Sequence, residues 1–241
     1  MSTDFGGPIR QAVIGPSEGD RFLFSGAPVE FDPSIAVFKD HFFDFNSVAT
    51  TGRWSVVKDT GATVALVDGH GGVLALTSTA TTDNDGASIN TAKNMITLSS
   101  SNKVWFEARV KWATVAELDS LVGFCSKPSS FTNPEDVLAE NNILAFVVAD
   151  GSASLKVQSR VGGTGAVTAP TTSVTLTDDT YVRLGIYWNG TTAYMFKDRV
   201  VIHTFTSVPS VDMQLSLFSL SGQATGTQKM TVDYVYLATA V

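Results

Sequence analysis

Lys103-Val104-Trp105-Phe106-Glu107-Ala108-Arg109-Val110-Lys111-Trp112 alternates from end to end. Val104, Phe106, Ala108, Val110 and Trp112 fall on one side. Lys103, Trp105, Glu107, Arg109 and Lys111 fall on the other. An apolar series of period two facing a polar one predicts a strand buried on one face only. The pattern returns in Tyr181 to Trp188, with Val182, Leu184, Ile186 and Trp188 inward. Asn189-Gly190 follows, the pair favoured in two-residue hairpin turns because both positions need positive φ. The chain then comes back through 192–196, turns at Lys197 to Arg199 and continues as 200–205. This predicts a β-meander.

Outward from that core, short strands are predicted at 64–67, 73–77, 87–90, 95–98, 121–125, 143–149, 155–160, 173–176, 214–220 and 230–237. Gly, Asp, Asn and Ser turns separate most of them. So many short strands on one chain point to a sandwich or barrel. One helical turn or two is expected at Asn133 to Glu140, where Pro134 follows a capping Asn and acids fill the first turn. No internal repeat of fixed period is present.

Residues 1–36 read differently. Gly6-Gly7-Pro8, Gly15-Pro16, Gly26-Ala27-Pro28 and Asp32-Pro33 break the chain every several residues. Phe5, Ile9, Ile14, Phe22, Phe24 and Phe31 lie between the breaks, more aromatic than a disordered tail usually is. The expectation is an extended N-terminal arm whose apolar residues contact a surface. Residues 37–241 then form the sandwich domain.

Composition narrows the function. The 241 residues carry 16 basic and 23 acidic side chains, a net charge of −7, with no Lys/Arg cluster. Nucleic-acid binders normally show a basic footprint, so that partner class is set aside. No apolar run approaches the ~18 residues that span a bilayer, and the N-terminus has no secretory pattern. Cys125 is the single cysteine. It cannot form an internal disulfide, which suits folding in a reducing cytoplasm, and its apolar run predicts a buried thiol.

Chemistry-bearing constellations are sparse. His41, His70 and His203 are scattered, without the spacing zinc needs. Asp83-Asn84-Asp85-Gly86 resembles an oxygen-rich calcium loop but lacks the closing Glu, so Asp83 and Asp85 read first as an acidic turn. No cofactor is expected. Glycoside hydrolysis needs two converging carboxyls. Glu107 shares its face with Arg109, and Glu117 and Asp119 sit in a stretch that reads equally as loop or strand. Each is expected as a salt-bridged surface carboxylate. No Gly-x-Ser-x-Gly elbow or phosphate-binding lysine loop occurs, and Gly162 to Gly165 reads as a hairpin loop. The remaining candidates are Trp105 and Tyr187, with Tyr181, Arg109 and Arg183 on the same outward side. They could stack on sugar rings, or be covered by the arm or a partner subunit. A sandwich buried on both faces would account for them equally.

Gly72 to Ile89, Val104 to Lys111, Val122 to Phe124, Val182 to Tyr187 and Thr231 to Val235 together resemble concanavalin A-like (laminin-G-type) jelly-roll domains. The style is nearest to such domains in bacteriophage virion proteins, over roughly residues 40–238. The resemblance implies an all-β, two-sheet antiparallel jelly-roll sandwich. Relatives include lectins and laminarinase-type glycosidases, the latter with a Glu-x-Asp-x-x-Glu strand motif absent here. The resulting expectation is a non-enzymatic virion protein, made in the host cytoplasm and decorating or cementing a capsid. It would be a homo-oligomer docking on the major capsid protein through the arm. The alternative is a lectin-like glycan-binding module of a tail or fibre.

Overall fold

The computed structural model describes the backbone of residues 35–40 and residues 53–67, 72–79, 83–126, 140–222 and 226–240 in full. Two antiparallel sheets form a jelly-roll sandwich. The first contains, in spatial order, β14 (Val200–Phe205), β13 (Ala193–Lys197), β12 (Val182–Trp188), β7 (Lys103–Trp112), β16 (Lys229–Ala240), β4 (Val73–Thr77) and β3 (Thr63–Val67). β1 (Ile35–Asp40) pairs with the outer half of β16, beside β4. The second contains β11 (Val167–Thr168), β10 (Lys156–Arg160), β9 (Ile143–Val148), β8 (Leu118–Ser126), β15 (Asp212–Ser221), β5 (Gly86–Thr91) and β2 (Trp54–Lys58). β6 (Ile96–Thr97) adds to the end of β15.

The alternation in β7 sets the layers. Phe106, Ala108, Val110 and Trp112 point inward and are buried with Val122, Phe124, Leu144, Phe146, Leu184, Ile186, Leu215 and Leu217 in one cluster. Phe106 meets Phe124 of the other sheet edge to face, at 5.2 Å between centroids. The indole N–H groups that burial would orphan are satisfied. Trp112 donates to Ser120 Oγ at 3.0 Å and Trp188 to the Ser99 carbonyl at 2.8 Å. On the opposite side of the second sheet, Leu121, Cys125, Ile143, Ala145, Phe218 and Leu220 make a smaller buried cluster. That face also buries the polar side chains of Ser88, Asn90, Gln214 and Ser216. Gly123 lies in its middle, where a Cβ would sit 2.5 Å from the Leu144 carbonyl oxygen and 2.6 Å from Ala145 Cα. The close approach of β8 and β9 leaves room there for glycine alone.

Most predicted strands are present with small shifts at their ends. The exception is 173–176, which makes only an isolated bridge between Thr175 and Ser154. β1, β2 and β11 were not expected. The hairpin reading needs a correction. Asn189-Gly190 opens a four-residue connection, in which Asn189 Oδ1 accepts from the Thr191 and Thr192 N–H groups. Of that pair, Gly190 alone has positive φ. The two-residue turn with positive φ at both positions is Asp198-Arg199, at +47° and +73°. Gly162 and Gly163 do close a hairpin loop, bridged between Val161 and Thr164. Residues 1–34, with Phe5, Ile9, Ile14, Phe22, Phe24 and Phe31, lie outside the described residues. So do the predicted helical turn, except Glu140, and His41 and His70.

Candidate functional site

The outward series of β7 becomes a site because antiparallel register aligns it with its neighbours. Trp105 lies opposite Tyr187 of β12, and Tyr187 lies opposite Tyr194 of β13. The three rings form a ladder across three strands, at 5.4 Å and 28° for the first pair and 6.1 Å and 23° for the second. All three are half-buried. One row along, Gly185 and Tyr236 flank Glu107. The next row sets Arg183 and Tyr234 on either side of Arg109.

β16 reaches this face through a bulge. Its register shifts between Val232 and Tyr234, so Asp233 is an extra residue in the strand. The Asp233 carboxylate ion-pairs with Arg109, whose guanidinium also lies 4.0 Å over the Tyr181 ring. Lys111 pairs with Asp179 at 2.6 Å.

Glu107 departs from the expected surface carboxylate. It is fully buried, and the Tyr234 hydroxyl donates to its Oε1. Arg109, expected as a same-face neighbour, is drawn to Asp233 instead. Burial pushes the Glu107 carboxyl up to about 7, against the opposing pull of the Tyr234 hydrogen bond and the Arg183 and Arg199 charges. Tyr234 is in turn pushed up by burial and by Glu107. Near neutrality Glu107 therefore holds its proton far more readily than a solvated carboxyl does.

The other sequence candidates are dispersed. Glu117 accepts from Gln228 Nε2 at 2.8 Å, and Asp119 accepts from the Asp150 N–H at 3.1 Å. The two do not converge, and neither makes the salt bridge expected of it among the described residues. Asp119 is raised chiefly by burial, with added repulsion from Asp150 and Asp83. Asp85 accepts from Thr79 Oγ1 at 3.2 Å. Among the described residues no group of three or more His, Cys, Asp or Glu is placed to hold a metal ion. His203 packs on Phe205 and accepts the Thr171 N–H at Nδ1, 3.2 Å away. Cys125 is buried against Ser216, and burial raises its thiol to about 12, as an inert thiol requires.

Tyr194, Tyr234, Tyr236 and Asp233 were missed as site residues. Tyr194 was legible from the alternation of β13 once its hairpin partner was known. The β16 residues were hidden because the bulge breaks the period of two.

No family model matches the chain, and no characterised protein is similar to it in sequence. Solved structures share its architecture. An endo-1,3-β-glucanase from Streptomyces sioyaensis superposes with a TM-score of 0.62 at 15% identity, over 89% of this chain and 99% of that one. A β-glucanase from Bacillus licheniformis gives 0.57 at 14%, over 83% and 97%. A protein of unknown function from Shewanella oneidensis MR-1 gives 0.61 at 12%, over 96% of each. At these identities the similarity establishes the fold, a concanavalin A-like jelly roll. It also corrects the expected role. Structures that share the fold include glucanases, a glycosidic hydrolase and a transglycosylase, and these show no phage-specific link. The expectation of a non-enzymatic capsid decoration protein is therefore withdrawn, since the structures that share the fold point to no virion role and several of them are named as glucanases.

Proposed function

We propose that the protein binds a glycan chain on the outer face of the first sheet, with Trp105, Tyr187 and Tyr194 as the stacking platform. The carrying observation is the ladder itself: three near-parallel rings in register on neighbouring strands, ~10 Å across. Sugar rings present apolar C–H faces and polar edges. Tyr and Trp offer the complementary arrangement of apolar body and polar tip. The glucanases of the same fold support a carbohydrate as the ligand class. Electrophoresis through gels containing soluble polysaccharides tests this reading. Wild type should be retarded by at least one polysaccharide, and Trp105→Ala and Tyr187→Ala should migrate as in an empty gel. Equal retardation of wild type and both variants would remove the ladder from the binding site.

A second reading, glycoside hydrolysis, rests on Glu107. Acid catalysis of glycosidic cleavage requires a carboxyl that still holds its proton near neutrality, beside a second, ionised carboxylate. Glu107 has the first property, and Asp233, paired with Arg109, is the second carboxyl group at this site. Release of reducing ends from a bound glucan, abolished in Glu107→Gln with retention in the gel intact, would establish it. Binding without release under the same conditions would discard it.

A further inference from the structure

The pairing of β7 with β12 sets Arg109 directly opposite Arg183, so two guanidinium groups leave the same face of adjacent strands. Like charges so placed repel. Arg109 is compensated by the Asp233 carboxylate and by the Tyr181 ring. Arg183 has no such compensation among the described residues. Its backbone N–H donates to Asp198 Oδ1 at 2.9 Å, but the other oxygen of that carboxylate pairs with Lys197. The remaining acid within reach of its charge is Glu107, buried and bonded to Tyr234. Burial favours the protonated form of that carboxyl, so it offsets only part of the charge. In a chain of net charge −7, this face therefore holds a local excess of positive charge.

The excess lies two rows to one side of the aromatic ladder, displaced along the strands. Arg183 and Tyr187 are four residues apart on one strand and share its outward side, ~13 Å apart along the sheet. Gly185, between them, contributes no side chain. Accordingly, we infer that the glycan is acidic, a polyuronate whose ring stacks on Trp105, Tyr187 and Tyr194 while a carboxylate farther along the chain pairs with Arg183. This rests on the glycan reading and narrows it. A planar guanidinium matches a carboxylate with two parallel hydrogen bonds, so an uncharged sugar at the same place would leave the cation unmatched.

The test compares two oligosaccharides with one backbone: β-1,4-linked glucuronate and uncharged β-1,4-linked glucose of equal length. Titration calorimetry of the full chain should show the glucuronate oligomer binding about tenfold or more tighter. The preference should shrink with added salt. Arg183→Met, which keeps the apolar stem, should erase the preference while leaving affinity for the uncharged oligomer unchanged. Arg183→Lys should retain part of it. Equal affinity for the two oligomers in the wild type, or an undiminished preference in Arg183→Met, would overturn the acidic specificity and leave glycan binding standing. Binding to neither oligomer would remove both.

Discussion

At the scale of single residues, Glu107 is the position where local pattern and structure part company. Its place in an alternating strand marked it as outward, and outward was taken to mean solvated. The register brings Tyr234 and Tyr236 beside it, and their rings, both nearly buried, help exclude water from the carboxyl. Neither tyrosine is near in sequence, so no window on β7 could show the burial. The consequence is measurable. A carboxyl raised from 4.5 to about 7 in the folded state binds a proton there that the unfolded chain has already lost. Its contribution is thus fully present below pH 4.5 and is lost as pH rises through about 7. That interval corresponds to about 3 kcal/mol. Thermal melts of wild type should show stability falling between pH 5 and pH 8, and Glu107→Gln should flatten that fall. Parallel pH profiles for the two proteins would show that the carboxyl is solvated after all.

At the scale of elements, the strands were legible because each half-buried strand writes its period into a few residues. Connections were less so. Asn189-Gly190 has the composition of a two-residue turn, yet Asn189 uses its side chain to close a longer loop. The tight turn falls at Asp198-Arg199, where neither residue favours positive φ as glycine does. An arginine held at φ +73° is strained, because its Cβ crowds the following carbonyl. Arg199→Gly should therefore stabilise the β13–β14 hairpin, raising global stability by about 0.5–1 kcal/mol in denaturant melts. A decrease would mean that contacts of the Arg199 side chain outweigh its backbone strain. Gly123→Ala should act oppositely. With a carbonyl oxygen 2.5 Å from the new methyl, β8 and β9 must separate, and a loss of more than about 2 kcal/mol is expected.

At the scale of the whole molecule, the sandwich depends on pairings that join distant parts of the chain. β16 begins at Lys229 and lies inside the first sheet, with β7 along one edge and β4 and β1 sharing the other. Met230, Val232, Val235 and Leu237 bring its inward side into the common core. The strand thus closes the sheet last in sequence while occupying its middle in space. Such non-local pairing carries a large loop-closure cost that is recovered only when the last strand docks. It follows that the preceding strands hold no complete sheet by themselves: without β16, β4 and β7 have no partner between them and both expose apolar edges. A chain ending at Gln228 should show no cooperative thermal transition by circular dichroism, whereas single-residue changes on the outer face, such as Trp105→Ala, should leave the transition cooperative. A sharp melt in the truncated chain would mean that the two sheets are stable without their central strand, and that the ladder and Glu107 are held in place by β7, β12 and β13 alone.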